Sequence, residues 1–177
     1  MIKVDINIAD PVWKSHLNIS KKIKSLYKEI APKISLIAIN KKFELCVLLT
    51  NDKQIQELNK LYRKQDKPTN VLSFPLFDGI KIQNQDFSNI HQNAEFNNSK
   101  YISLGDIIVA HQTILTEAEN QNKTFDDHLS HLLIHSLLHL LGFDHEKKKD
   151  AKIMEDLEIT LLKSLGIENP YTNSYLK

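Results

Sequence analysis

The run HLSHLLIHSLLHLLGFDH spans residues 128–145 and holds five of the eight histidines of the chain. Leucine and isoleucine fill most of its other positions, which predicts a buried helix that Gly142 ends. The first four histidines are spaced by 3, 4 and 4 residues, so on a helix they form one stripe. This run therefore predicts both the central helix of the fold and its most distinctive polar surface.

Only two histidines of this stripe can share one metal ion. A helix rises 1.5 Å per residue, so His131 and His139 lie about 12 Å apart along the axis, whereas zinc holds its ligand nitrogens within about 4 Å. The pair is therefore spaced i, i+4, either His131 with His135 or His135 with His139. Gly142 favours the second pair, because it ends the helix three residues after His139 and lets the chain bring His145 back beside the last turn.

The sequence thus predicts a metal site of His135, His139 and His145, with a fourth position left to water. Three protein ligands and an open position are typical of catalytic zinc, while structural zinc sites close with four. His131 fits either a group that supports the ligands or core packing, and Asp144 either orients a ligand histidine or caps the turn. The other histidines are expected to be structural or surface residues: His16, His91, His111 and His128.

The residue after the first ligand constrains the chemistry. Metalloproteases with an HExxH motif use the Glu of that motif as a general base, but the run from His135 to His139 is HSLLH. Ser136 cannot replace that base, which disfavours a peptidase of that mechanism. A metal-bound hydroxide could itself attack a phosphodiester or another ester.

A second motif, LNKLYRKQDKPTNVLSFP at 58–75, runs from a helix end into a strand. From position 53 to 67, five cations stand against two acids, a net charge of +3. Arg63 is the only arginine of the chain, and its planar guanidinium suits bidentate binding of a phosphate. A surface arginine without a function is the alternative interpretation.

These two motifs, with LGDIIVA at 104–110 between them, resemble the YbeY family of bacterial endoribonucleases. The family pattern H-G-x-L-H-L-x-G-[YF]-D-H is matched from His135 to His145, except that Ser136 stands where the family has glycine. The resemblance covers nearly the whole chain. It implies a single-strand-specific endoribonuclease with one zinc ion per chain, which acts in rRNA maturation near the 3′ end of the small-subunit rRNA and in ribosome quality control.

The resemblance also implies the roles of individual residues. Arg63 carries over as the arginine that holds the scissile phosphate or stabilises its developing charge, and His135, His139 and His145 carry over as the metal ligands. The implied partners are single-stranded RNA, including rRNA, and ribosomal particles or ribosomal proteins, with no membrane and no DNA. Two other classes stay open: a zinc peptidase or amidase, and a non-catalytic ribosome-assembly factor with a structural metal.

Composition sets the broader limits. A chain of 177 residues with 41% hydrophobic and 25% charged residues predicts one domain, residues 1–177. The net charge of +1 predicts no bulk attraction to a polyanion. The segment from position 14 to 42, however, contains eight lysines and only one acidic residue. That cluster fits either a solvated helix face or a surface for phosphates. A single cysteine excludes an intramolecular disulfide, and the absence of a long apolar run leads us to expect a cytoplasmic protein.

Local patterns predict an α+β fold, with a four-stranded mixed sheet, about five helices and the metal site at the end of a central apolar helix. The predicted strands are 2–8, 43–49, 70–77 and 101–110, and the predicted helices are 11–30, 51–64, 112–119, 125–141 and 149–165. Pro75 indicates that the third strand either lies at an edge or ends there, and the continuous apolar run 107–110 indicates that the fourth strand is central. Residues 78–100 predict a mobile loop and residues 168–177 a loose tail.

Overall fold

The computed structural model describes residues 1–34, 42–76 and 101–172. The strands are β1 (Ile2–Ile8), β2 (Phe43–Thr50), β3 (Val71–Pro75) and β4 (Ile102–Ala110). The α-helices are α1 (Ile19–Ile30), α2 (Asp52–Arg63), α3 (His111–Asn120), α4 (Phe125–Leu140) and α5 (Lys148–Ser164), with short 3-10 helices at Pro11–Ser15 and Ala31–Lys33. The predicted α+β class is confirmed. The predicted loop at 78–100 and the last five residues of the predicted tail lie outside the described residues.

The sheet is mixed, with strand order β1-β2-β4-β3. The first three strands in this order are parallel, and β3 lies antiparallel to β4 at the edge. The predicted edge position of the third strand and central position of the fourth are confirmed, and the described strand β3 ends at Pro75, within the predicted bounds of 70–77. Gly105 allows the close contact between these two strands, because its φ is +124° and an added Cβ would lie 2.1 Å from the Phe74 carbonyl oxygen.

Alternating side chains divide the helices between the two faces of the sheet. One face packs against α1 and α4 in the larger core, to which Val71 of β3 contributes. The opposite face of β3 and β4 packs against α2, where Leu72 and Ile108 meet Ile55. Strand β3 therefore lies between α2 and α4.

Helix α4 is the predicted apolar helix, and it begins and ends as its sequence indicates. The Thr124 side chain caps it by accepting a hydrogen bond from the Asp127 backbone N–H at 3.0 Å. Gly142 follows the last turn with a φ of +83°, the left-handed conformation that ends helices. Nowhere in the described ranges is a helix both long and apolar enough to cross a membrane.

The predicted first helix, 11–30, is wrong in one respect, because the structure divides it. Asp10 caps a 3-10 helix by accepting a hydrogen bond from the Val12 N–H, but Asn18 then takes a φ of +58° and α1 starts only at Ile19. The buried Trp13 explains the division, since its indole N–H donates to the Thr50 carbonyl at 2.8 Å and holds the segment against the carboxyl end of β2. Helical spacing of apolar residues does not reveal such a tertiary contact.

Candidate metal centre

The end of α4 and the turn after it bring three histidines together. His135 and His139 lie one turn apart on the same face of the helix, and after Gly142 the chain reverses so that His145 lies beside them. One ligand nitrogen from each histidine lies within 4.8 Å of the others, and the Nε2 atoms of His135 and His139 are 3.1 Å apart. It is the one group of potential metal ligands found among the described residues.

Hydrogen bonds on the far side of two rings orient this cluster. The Nδ1–H of His135 donates to the Glu158 carboxylate at 2.7 Å, and the Nδ1–H of His139 donates to the Phe143 carbonyl at 3.1 Å. With the proton on Nδ1, the lone pair of each ring lies on Nε2, the atom that faces the other histidine. The arrangement therefore presents two oriented ligand atoms, as metal-binding histidines require.

Glu158 of α5 belongs to the candidate site, and sequence reasoning missed it. Its side chain is fully buried and accepts hydrogen bonds from His135, from the His131 Nε2–H at 3.1 Å and from the Tyr171 hydroxyl. Burial alone would raise the pKa of Glu158, but the hydrogen bonds from His131 and His135 outweigh it and lower the pKa to about 2. An ionised carboxylate thus lies directly behind the histidine cluster.

The two residues left open by the sequence now have defined contacts. His131 supports Glu158 through a hydrogen bond and is not part of the three-histidine group. Asp144 caps the turn, since its Oδ1 accepts from the N–H groups of His145 at 2.7 Å and Glu146 at 3.3 Å. The remaining described histidines lie in separate pairs, His128 with Glu117 at 2.8 Å and His16 with His111 at 2.7 Å.

The chemistry of the cluster fits a divalent transition metal. Burial, together with the neighbouring His135 and His145, lowers the pKa of His139 to about 4, so its ring is neutral at pH 7. Neutral imidazole is the form that binds metals, and a set of nitrogen ligands suits zinc, copper, nickel or iron. The residues present therefore fit such an ion without fixing its identity.

Arg63 lies outside this cluster. It is the last residue of α2, exposed to solvent, and its guanidinium makes no hydrogen bond or ion pair with the described part of the chain. The end of α2 lies beside the end of β3, where the Tyr62 ring contacts Phe74. The role of Arg63 stays a prediction.

Helix α4 approaches the same end of β3 from the other face. It starts beside the carboxyl end of β4, where Phe125 contacts His111, packs against β3 and extends for about 24 Å from its start. Its last turn, with His139, therefore lies toward Pro75. Arg63 and the histidines thus lie at the same end of β3, on opposite faces of that strand.

Comparison with known proteins identifies the family. The sequence model described as "Endoribonuclease YbeY" matches residues 8–166. The chain belongs to the endoribonuclease YbeY family. The "Endoribonuclease YbeY" of Bartonella henselae is 37% identical over 171 residues, which cover 97% of this chain and 98% of that protein. A solution structure from Thermotoga maritima shares the fold, with a TM-score of 0.55 and 24% identity over 99% of this chain and 92% of the other.

Substitution of Glu158 tests whether its hydrogen bond with His135 strengthens metal binding in this YbeY family member. We expect Glu158→Gln to weaken zinc binding by about 10- to 100-fold, because the amide removes the charge that orients and polarises His135. Competition with a chromophoric chelator measures the affinity. Asp156→Asn is the matched control, since it neutralises an exposed carboxylate of the same helix. Equal zinc affinity in Glu158→Gln and the wild type would contradict the assigned role.

Ser136, which replaces the glycine of the YbeY pattern, is fully buried, and its hydroxyl has no hydrogen-bond partner among the described residues. We expect Ser136→Ala to raise the free energy of unfolding by about 1 kcal/mol, because it removes an unsatisfied polar group and alanine favours a helix. Urea unfolding measures the change. Ser130→Ala is the control. It gives the same gain in helix propensity, but the Ser130 hydroxyl is not unsatisfied, since it donates to the Asp126 carbonyl. Equal effects of both substitutions would refute a cost from the buried hydroxyl.

Proposed function

We propose that this chain is a zinc-dependent endoribonuclease that cleaves single-stranded RNA, with one ion held by His135, His139 and His145. Family membership supports the class of reaction. The observation that carries the metal dependence is the cluster itself, in which three ligand nitrogens lie within 4.8 Å and two of the rings are held by hydrogen bonds from Nδ1.

The proposal assigns a separate role to each of the residues near the metal centre and to Arg63. When bound, a divalent ion supplies Lewis acidity and makes water nucleophilic at neutral pH. Glu158 keeps the His135 ring oriented and its Nε2 available. Arg63 binds the scissile phosphate with two N–H groups and stabilises the charge that develops on its oxygens. Ser136 does not contact the substrate, since its side chain is fully buried.

We further propose a role in rRNA maturation, near the 3′ end of the small-subunit rRNA, and in ribosome quality control. The substrate is then rRNA within ribosomal particles in the cytoplasm, with ribosomal proteins as neighbours. Membership of the YbeY family supports this role.

The test uses untagged protein, stripped of metal with a chelator and then supplied with zinc. The substrates are a single-stranded RNA, the duplex of the same sequence and the matching single-stranded DNA. We expect internal cleavage of the single-stranded RNA alone, and only with metal present. Cleavage of a peptide library without RNA cleavage would instead establish a peptidase or amidase. Binding to ribosomal particles without any cleavage would establish an assembly factor.

A further inference from the structure

The end of α2 exposes an aromatic ring that the fold itself does not require. Tyr62 is 61% exposed, next to Leu61 at 60%, and Leu76 beyond the end of β3 is 61% exposed. The Tyr62 ring contacts Phe74 of β3 at 5.0 Å between centroids and an interplanar angle of 67°. This T-shaped contact holds the tyrosine ring in place at the surface. Tyrosine combines an apolar ring with a polar hydroxyl and is enriched at binding interfaces.

The charges around this ring favour one class of partner. Arg63, Lys64 and Lys67 are exposed beside it, whereas the nearby acid Asp66 is paired with Lys60 at 2.7 Å. The surface therefore combines a π-face with uncompensated positive charge. Proteins that bind single-stranded nucleic acids use this combination, with cations for the phosphates and aromatic rings for the bases.

We propose that Tyr62, supported by Phe74, is a stacking platform for one base of the single-stranded RNA substrate. The inference rests on the proposed function and deepens it, because it names a residue that selects the substrate. Bases in a duplex are already stacked and cannot reach the ring, so the platform favours single strands. Arg63 and Lys67 then contact the phosphates on either side of the stacked base.

The position of the platform is compatible with a substrate that also reaches the metal centre. Tyr62 lies at the end of α2 and His139 in the last turn of α4, and both helices end toward Pro75 on opposite faces of β3. Because Arg63 also binds the scissile phosphate in the proposed function, the stacked base belongs to a nucleotide directly next to that phosphate.

The test compares variants of the metal-loaded protein in binding an unstructured, 5′-labelled RNA of about 12 nucleotides. Affinity is measured by fluorescence anisotropy on rapid mixing, before cleavage products accumulate. Tyr62→Leu removes the aromatic ring but keeps an apolar side chain, and Tyr62→Trp enlarges the ring and adds a reporter. Tyr101→Leu is the matched control, because Tyr101 directly precedes β4 and its ring lies beside Lys3 and Lys42.

We expect Tyr62→Leu to bind the RNA about 10-fold more weakly, with the same dependence on salt, because stacking releases no counterions. In Tyr62→Trp the affinity is kept and the RNA quenches the new fluorescence, which is separable from that of the buried Trp13. Tyr101→Leu binds like the wild type.

Three results would overturn the platform: unchanged affinity in Tyr62→Leu, no quenching in Tyr62→Trp, or an equal loss in Tyr101→Leu. Failure of the proposed function gives a different pattern. If the wild type binds the RNA but never cleaves it, and the RNA quenches Tyr62→Trp as expected, the stacking role of Tyr62 is supported and the nuclease activity is refuted. If the wild type cleaves the RNA while Tyr62→Leu binds it with normal affinity, the nuclease activity is supported and the stacking role of Tyr62 is refuted. A wild type that does not bind the RNA refutes both.

Discussion

Replacement of His139 by alanine is expected to remove the bound metal and to slow RNA cleavage by at least about 10³-fold. This loss exceeds the 10- to 100-fold effect typical of residues that only support a ligand. Of the three histidines, His139 has the strongest case as a metal ligand, because its pKa of about 4 keeps the ring neutral and its Nδ1–H donates a hydrogen bond to the Phe143 carbonyl. Metal content by mass spectrometry and cleavage of a labelled single-stranded RNA measure the two effects.

The control for this experiment is His16→Gln, which changes a histidine of the separate pair with His111. That variant is expected to keep both its metal and its activity. Circular dichroism shows whether each variant is folded. A folded His139→Ala protein that retains one equivalent of zinc would show that the cluster of His135, His139 and His145 is not the metal site.

Arg63→Ala is expected to slow RNA cleavage by about 10²- to 10³-fold while the metal content stays unchanged. This is the range found when one donor to a developing negative charge is removed. The fold should not suffer, because Arg63 is exposed and makes no described hydrogen bond or ion pair. Single-turnover cleavage with saturating enzyme separates this effect from weaker binding.

Arg63→Lys distinguishes the shape of the guanidinium from its charge. A lysine keeps the charge but cannot form two parallel hydrogen bonds with a phosphate, so it should restore only a small part of the rate. Lys53→Ala, at the other end of α2, serves as the control for the loss of a surface cation. Full activity of Arg63→Ala would remove this residue from the mechanism.

The elements that follow local rules could be predicted from the sequence. Strand β1 and helix α4 were predicted to within one residue, because alternation in one case and Thr124 with Gly142 in the other are local signals. The division of the first helix could not be predicted, since it depends on the contact of Trp13 with Thr50. The helical spacing of apolar residues continues across the division at Asn18, so the spacing alone does not reveal it.

The candidate site shows the same contrast. The i, i+4 spacing and the glycine after the helix predicted which three histidines would lie together, and the structure brings them within 4.8 Å. Glu158 was not predicted, because its partner His135 lies 23 residues earlier in another helix. One signal was present: Glu158 lies at helical spacing from Met154, Leu161 and Leu162, so an acid interrupts the buried face of α5. A charge at a core position indicates a buried partner.

The strand order has a consequence for the way the chain gains its structure. Strands β2 and β3 are close in sequence but do not pair, and β4 fills the place between them only after it has been synthesised. Contacts over such separations form late and slow the search for the native topology. The contacts of the histidine cluster come later still, from Phe143, Glu158 and finally Tyr171. All strands of the described sheet are therefore synthesised before Phe143, Glu158 and Tyr171, and an amino-terminal fragment that ends before Tyr171 lacks the hydroxyl that donates to Glu158.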